Sequence, residues 1–238
     1  MAKSKNVERK AKIEQLRREQ QRKERRRSMA ILGACGVVVV ALLAAALIPY
    51  INSLREDDKL KSTALNTLGV SEASAGCSPV KKETADGSGQ HVAPPTPIKY
   101  DSAPPAFGKH WGNFLTGSEI RPFYTVSDRP EIERLVHSLE HGHTIIWYDD
   151  TITKGSSDYK ALEQIATKLG TDSYVMVAPW TTKDGASFPS GKHIAFTHWT
   201  GPKNQQGIWE YCTKASGSVA RTFTDDYQKD NAPEPGAM

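Results

Sequence analysis

An apolar run of about twenty residues, Met29 to Ile48, constrains the fold of this chain more than any other feature. An uncharged stretch of that length matches the hydrocarbon thickness of a bilayer when it forms an α-helix. The cluster Arg25-Arg26-Arg27 precedes the run, and Glu56-Asp57-Asp58 follows it. By the positive-inside rule, we expect the N-terminus on the cytoplasmic side and the residues from 50 onward outside.

The same run divides the chain into five predicted segments. They are a basic cytoplasmic arm over 1–28, a transmembrane helix over 29–50, a polar tether over 51–75, an extracytoplasmic domain over 76–232 and a loose tail over 233–238. A cleaved signal peptide is the alternative, but its apolar part would span only about 7–15 residues. We therefore predict an uncleaved, single-pass anchor in the cell membrane that contacts lipid.

The positive charge of the chain lies in one segment. The net charge is +4, but residues 1–27 carry twelve Lys or Arg against four Glu, so the remainder is slightly acidic. A nucleic-acid-binding surface on the folded domain is therefore not expected. The arm is interpreted either as a solvated, partly helical segment or as one that lies along anionic headgroups, where each Lys or Arg contributes about 1 kcal/mol.

The outer domain is predicted to have an α+β fold, with a small mixed sheet and an irregular Pro-rich layer. The layer corresponds to residues 77–128, which are rich in Pro and Gly and favour extended and turn structure. The later elements are predicted in chain order as a helix over 130–141, a strand over 143–149, a helix over 159–169, strands over 174–179 and 193–199, and helical segments around 204–212 and 218–229. The β-α-β order of the first two strands predicts that they are parallel.

Seven residues, His137-Ser138-Leu139-Glu140-His141-Gly142-His143, hold three of the seven histidines of the chain. On a helix His137 and His141 share a face because they are four residues apart, and Glu140 lies beside them. Gly142 is typical of the residue that follows a helix, and a β-branched and aromatic run comes next. The sequence therefore predicts two imidazoles and a carboxylate where a helix ends and a strand begins.

The positions of the three cysteines bear on the compartment of the folded domain. Cys35 lies inside the apolar run, whereas Cys77 and Cys212 flank the folded part. If that part is extracytoplasmic, a disulfide between the latter two is expected. It would close a loop of more than a hundred residues and contribute roughly 4–5 kcal/mol in the chain-entropy model.

Several short motifs resemble one bacterial membrane-anchored family, the domain of unknown function 3105, over about residues 76–232. The matching motifs are Cys77-Ser78-Pro79-Val80, His91-Val92, Ala103-Pro104-Pro105 with Gly108-Lys109-His110-Trp111, the His137 to Gly142 motif, Ala195-Phe196-Thr197-His198-Trp199 and Tyr211-Cys212. The resemblance implies an exported domain with a Cys77–Cys212 disulfide and a histidine cluster. It implies no established activity.

Metal binding is our first interpretation of these histidines. The family-like motifs carry His91, His110, His137 and His141, and Glu140 is either a further ligand or an acceptor for an imidazole N–H. Imidazole ligands suit copper and zinc. With both outer cysteines paired, no thiolate remains for a Cys-rich zinc site. The expected cofactor is therefore a copper or zinc ion.

Three other interpretations stay open. The clustered histidines can form a purely structural hydrogen-bonded network, and His143, His193 and His198 are each expected to be structural or surface residues. The spacing His137-x-x-Glu140-His141 fits the H-x-x-E-H pattern of inverted zinc peptidases, with Glu163 or Glu210 as the third ligand. That motif is short and ends at a glycine, so a catalytic role is not favoured. Finally, an anchored outer domain suits an accessory or assembly subunit of a membrane protein complex, with Trp and Tyr as partner anchors.

Overall fold

The computed structural model describes residues 2–170 and 173–236 of the chain. It divides into two compact units, residues 1–59 and residues 60–238. The first unit is helical and the second contains the sheet.

The helix α1 (Ala2–Ser62) contains the whole apolar run. Its N-terminal part lacks Pro and Gly and is rich in Glu, Gln, Lys and Arg, which are good helix formers. Among the described residues, α1 is the one helix long and apolar enough to cross a membrane, and the side chains of its apolar window are unburied. A helix that is apolar on all sides is stable where lipid or another apolar surface covers it.

The second unit contains short helices and strands around a five-stranded sheet. In chain order they are α2 (Glu72–Ala75), β1 (Lys81–Thr84), β2 (His91–Val92), β3 (His110–Trp111), α3 (Ile132–Glu140), β4 (Thr144–Tyr148), α4 (Ser157–Leu169), β5 (Val175–Pro179), β6 (Ile194–Thr200), β7 (Gln206–Cys212) and α5 (Gly217–Asp226). The strand order is β1-β7-β6-β4-β5, with β2 and β3 forming a separate parallel pair. The strands β4 and β5 are parallel, as predicted, and the other neighbours in the large sheet are antiparallel. The predicted α+β class and mixed sheet are confirmed.

Alternate residues of β4 face two hydrophobic cores. Ile146 and Tyr148 pack with α4 and α5 on one face of the sheet. Ile145 and Trp147 pack on the other face with α3 and with residues of the Pro-rich layer. The period of two in a strand explains this division. The irregular layer and α3 therefore lie on the same side of the sheet.

The helical segment expected around 204–212 is wrong, because these residues form the strand β7. This segment pairs with β6 along its whole length. Its composition suits a strand, since Ile208, Trp209 and Tyr211 are β-branched or aromatic. Gly207 is required where the ring of Phe107 packs directly on the β7 backbone and leaves no space for a side chain.

The disulfide between Cys77 and Cys212 is present and confirms the pairing that the resemblance implied. It joins the segment before β1 to the end of β7, across 135 residues of sequence. Chain upstream of the disulfide also belongs to the folded unit, although it was assigned to the tether. Leu60, Leu65 and Val70 pack against the core that contains α4 and α5.

Candidate metal centre

Four imidazole rings meet beside the C-terminal end of α3. His91 and His110 are directly paired in the two-residue ladder of β2 and β3, which places their rings 4.8 Å apart. His137 lies in the last turn of α3 and its ring centroid is 4.6 Å from that of His110. His141, four residues later, lies 4.7 Å from His137. The two halves of the cluster therefore come from the Pro-rich layer and from the helix.

The turn after α3 depends on Gly142. His141 ends the helix, and Gly142 follows with a φ of +99°, a conformation that glycine adopts without strain. A side chain at this position would also overlap the carbonyl group of Lys229. The predicted helix end is confirmed, and it places His137, Glu140 and His141 shortly before the start of β4.

Glu140 is the carboxylate of the cluster. Its Oε2 lies 2.9 Å from His110 Nε2 and 3.7 Å from His91 Nε2. One donor atom from each of His91, His110, His137 and Glu140 lies within 4.8 Å of every other. Three imidazoles and one carboxylate with this spacing can hold a transition metal ion.

Backbone carbonyl oxygens fix the orientation of three of these rings. The Nδ1–H of His110 donates to Gly108 O at 2.8 Å, that of His137 to Trp111 O at 2.6 Å, and that of His141 to Glu234 O at 2.9 Å. A carbonyl oxygen can only accept, so Nδ1 must carry the proton in each ring. The neutral form of each ring then has its lone pair on Nε2. This outer arrangement is the usual one for metal-binding histidines.

Two buried polar atoms without a hydrogen-bond partner face each other at the centre of the cluster. His110 and the carboxylate of Glu140 are almost fully buried. His110 Nε2 and Glu140 Oε2 approach to 2.9 Å, yet their orientation does not give a hydrogen bond, and neither atom has another partner in the described part of the chain. Either a proton on Nε2 or a metal cation close to both atoms would satisfy this contact. The cluster therefore contains partnerless polar atoms of the kind that a bound cation satisfies.

The electrostatics keep the cluster in a form that can bind a metal. The pKa of His137 is lowered to about 4, chiefly by burial and also by the neighbouring His110, His141 and His91, against the raising effect of the Trp111 hydrogen bond. His137 is therefore neutral near pH 7. Burial alone would raise the pKa of Glu140, but the adjacent imidazoles outweigh this effect and lower it. The site thus offers a neutral imidazole at His137 and favours an ionised carboxylate at Glu140, the protonation states in which these two side chains bind a metal.

The site has one open side. The side chain of His91 is 53% exposed, whereas His110 is fully buried. The ring of Phe114 packs edge-on against both His137 and His141 and shields them. Next to Glu140, the backbone of Gly89 approaches the carboxylate so closely that an added Cβ would overlap Oε1. An ion would therefore reach the cluster past His91.

The C-terminal segment was expected to be a loose tail over 233–238, but Glu234 within it contacts the end of α3. The N–H of Glu234 donates to Glu140 O at 3.0 Å, and Glu234 O accepts from His141. Ala232 is completely buried. These contacts hold the segment against the end of α3, and residues 237 and 238 lie outside the described residues. Glu234 is the site residue that sequence reasoning missed, because nothing in a Pro-Glu-Pro tail indicates a contact with α3.

The remaining candidates lie elsewhere. Glu163 is on the exposed side of α4, which packs on the opposite face of the sheet from α3, and Glu210 lies beside the disulfide. Neither residue joins the histidine cluster. Neither therefore supplies the third ligand that an inverted zinc peptidase would need beside His137 and His141. His193 pairs with Asp149 at 2.9 Å, away from the cluster.

Comparison with known proteins identifies a family. A family model described as protein of unknown function (DUF3105) matches residues 91–238. The chain belongs to this DUF3105 family. The match confirms the family suggested by the sequence motifs and includes all four clustered histidines. Searches of curated proteins and of solved structures gave no match.

Proposed function

We propose that the DUF3105 domain of this chain binds a transition metal, copper or zinc, through His91, His110 and His137 with Glu140. The observation that carries the proposal is the set of Nδ1–H hydrogen bonds to backbone carbonyls. Those bonds leave Nε2 of His110 and of His137 available as a donor atom, and the donor atoms of these two residues, His91 and Glu140 lie within 4.8 Å of one another. The partnerless polar atoms at the centre of the cluster support the same assignment.

The donor chemistry limits the choice of metal. Imidazole nitrogens suit copper and zinc, and a single carboxylate suits zinc and divalent copper. The disulfide removes both cysteines of the second unit as ligands. His137 is buried with its proton on Nδ1, and Glu140 is buried with its ionised form favoured. Metal binding therefore requires little change in the protonation of these two side chains.

Membrane attachment through α1 is part of the proposal. The helix has the length and apolarity for one crossing, with Arg25-Arg26-Arg27 on one side of the apolar run. The positive-inside rule then places the N-terminus in the cytoplasm and the metal-binding domain outside. A disulfide in that domain fits an oxidising compartment. Attachment of a cysteine-reactive label to engineered Ser4→Cys and Ser187→Cys in intact cells would test this orientation.

An accessory role in a membrane protein complex is the second candidate function. An open cleft of about 840 Å³ favours it, because its walls include Gln90, Gly108 and Lys109, the chain neighbours of His91 and His110. A partner seated there would reach the exposed ligand. We expect a partner to copurify with the wild-type chain in mild detergent and to be lost in Lys109→Glu. Copurification that is unchanged in this variant would contradict the use of the cleft.

The direct test is metal analysis of the full-length chain in detergent. After loading with Zn(II) or Cu(II) and desalting, we expect at least one tightly held ion per chain. His110→Ala and His137→Ala should lose it. His193→Ala is the matched control, because it removes an imidazole outside the cluster.

Two results would contradict metal binding. One is a wild-type chain without a retained ion whose histidine variants merely unfold more easily, which would make the cluster a structural network. The other is equal retention in His110→Ala, His137→Ala and His193→Ala. Thermal unfolding with and without Zn(II) supplies a second readout, since a ligand that binds only the folded state raises the midpoint.

A further inference from the structure

We propose that the centre takes two metal ions, with Glu140 as the bridging ligand and with His141 and Glu234 as ligands of the second ion. This inference rests on the proposed function, because the second position shares Glu140 with the first. It gives Glu234 of the C-terminal segment, which contacts Glu140 and His141, a role as a metal ligand.

The donor atoms fall into two groups rather than one. The first group consists of His91, His110, His137 and Glu140, and the second of Glu140, His141 and Glu234. Within each group every donor atom lies within 4.8 Å of the others. His141 belongs only to the second group, although its ring neighbours that of His137. One ion at the first position therefore leaves His141 without a metal. The second group of donor atoms, which includes His141, forms a second candidate position.

Glu140 is suited to bridge the two positions. A carboxylate has two oxygens and about four lone-pair directions, so it can bind two cations at once. Its Oε2 faces His110 and His91, which belong to the first position. Dinuclear metal sites in proteins hold their ions about 3.5–4 Å apart. That separation is compatible with two ligand groups that share a single side chain.

Glu234 acts on the second position in two ways. Its backbone carbonyl accepts the Nδ1–H of His141 and thereby leaves Nε2 of that ring as the ligand atom. Its carboxylate provides the third donor of the group. The Glu234 N–H also donates to the backbone of Glu140. The same residue thus attaches the segment to both of its partners at the second position.

The two positions differ in ligand chemistry. The first offers three imidazoles and a shared carboxylate, which suits copper and zinc alike. The second offers one imidazole and two carboxylates, a harder ligand set that favours Zn(II) and other divalent ions over Cu(I). Glu234 is exposed, so the second ion should also bind less tightly than the first.

The test is zinc stoichiometry of the full-length chain in detergent, measured by equilibrium dialysis against buffered Zn(II). We expect two zinc ions per wild-type chain and one in Glu234→Gln. Glu163→Gln, an exposed glutamate on α4, is the matched control and should keep two. Glu234→Gln leaves the backbone contacts of the segment intact, so its unfolding midpoint without metal should equal that of the wild type.

The outcomes separate this inference from the proposed function. One ion in the wild type, unchanged in Glu234→Gln, would overturn the second position and leave the metal centre standing. Two ions in both the wild type and Glu234→Gln would overturn the assignment of Glu234. No ion in the wild type would overturn the metal centre itself. Loading with Cu(I) is an independent arm, in which more than one ion per chain would contradict the division of ligand chemistry.

Discussion

The histidine cluster beside α3 and the pair formed by His143 and His198 contain the same buried side chain in different surroundings. In the pair, Nδ1 of His143 donates to Ser138 O, and Nδ1 of His198 shares a hydrogen bond with Thr144 Oγ1. The Nε2 atoms of both rings are buried without a partner in the described residues, and burial lowers the pKa of each ring to about 4. The pair therefore resembles the cluster in burial and in its hydrogen-bonded Nδ1.

The difference lies in convergence and access. No group of three donors within the described residues includes either His143 or His198, whereas Glu140 reaches into the cluster and His91 opens it to solvent. A buried imidazole alone is a polar group in the core. It becomes a candidate ligand where several lone pairs and a carboxylate meet at a point that an ion can reach. The comparison predicts that the cluster responds to metal and the pair to protons.

The largest expected effect separates the two groups by metal affinity. His110→Ala should weaken metal binding by more than about 100-fold, because it removes a fully buried ligand. His198→Ala should leave metal affinity unchanged and lower the free energy of unfolding by roughly 1–3 kcal/mol. Isothermal titration with Zn(II), followed by denaturant unfolding, measures both quantities. Equal losses of affinity in the two variants would remove the distinction between cluster and pair.

A pH series should show the proton response of the pair. Burial lowers the pKa of folded His198 to about 4, below the ordinary value of 6.5. The unfolded chain therefore binds this proton more readily, and stability is full above pH 6.5 and falls as the pH drops toward 4. The contribution of His198 to this loss is about 3 kcal/mol.

Chemical unfolding in the presence of a chelator measures this loss at about pH 7 and about pH 4.5. His198→Asn should lose less stability between the two pH values than the wild type, because other titrating groups contribute equally to both proteins. Parallel losses in wild type and variant would show that His198 does not titrate in this range.

The backbone beside Glu140 provides a smaller perturbation of the cluster. Gly89→Ala should displace the carboxylate, because the new Cβ would overlap Oε1. Loss of correct ligand orientation typically lowers metal affinity by about 10- to 100-fold. Gly112→Ala is the matched control, since a Cβ there meets only an ordinary contact of 3.9 Å with His91. Titration with Zn(II) would contradict the role of Gly89 if both variants bound alike.

The exposed ligand should matter least for affinity. His91→Ala should weaken binding by only about tenfold, because a half-exposed side chain can be replaced by water. The rate of metal release to a chelator should nevertheless rise, since His91 lies on the open side. Stopped-flow release compared with His110→Ala measures this contrast. A loss of metal affinity in His91→Ala as large as that in His110→Ala would show that the exposure of a ligand side chain does not determine its contribution to affinity.

Local sequence determined several features of this protein. The length of the Met29 to Ile48 run specifies a helix that can span a membrane, because twenty apolar residues match a bilayer. The Gly142 position specifies where α3 ends, because few other residues adopt that conformation. The four-residue spacing of His137 and His141 places both rings on one helix face. These features depend on near neighbours in the chain.

The tertiary structure decided what depends on distant residues. The register of β2 against β3 brought His91 and His110 to the helix, and no local pattern encodes that pairing. The helical prediction for 204–212 failed because the β-branched and aromatic residues of this segment pair with β6, a strand that is not part of the local sequence. Glu234 contacts Glu140 through a backbone hydrogen bond between residues far apart in the sequence. The sequence identified most of the side chains of this centre, and long-range packing determines which of them lie close together.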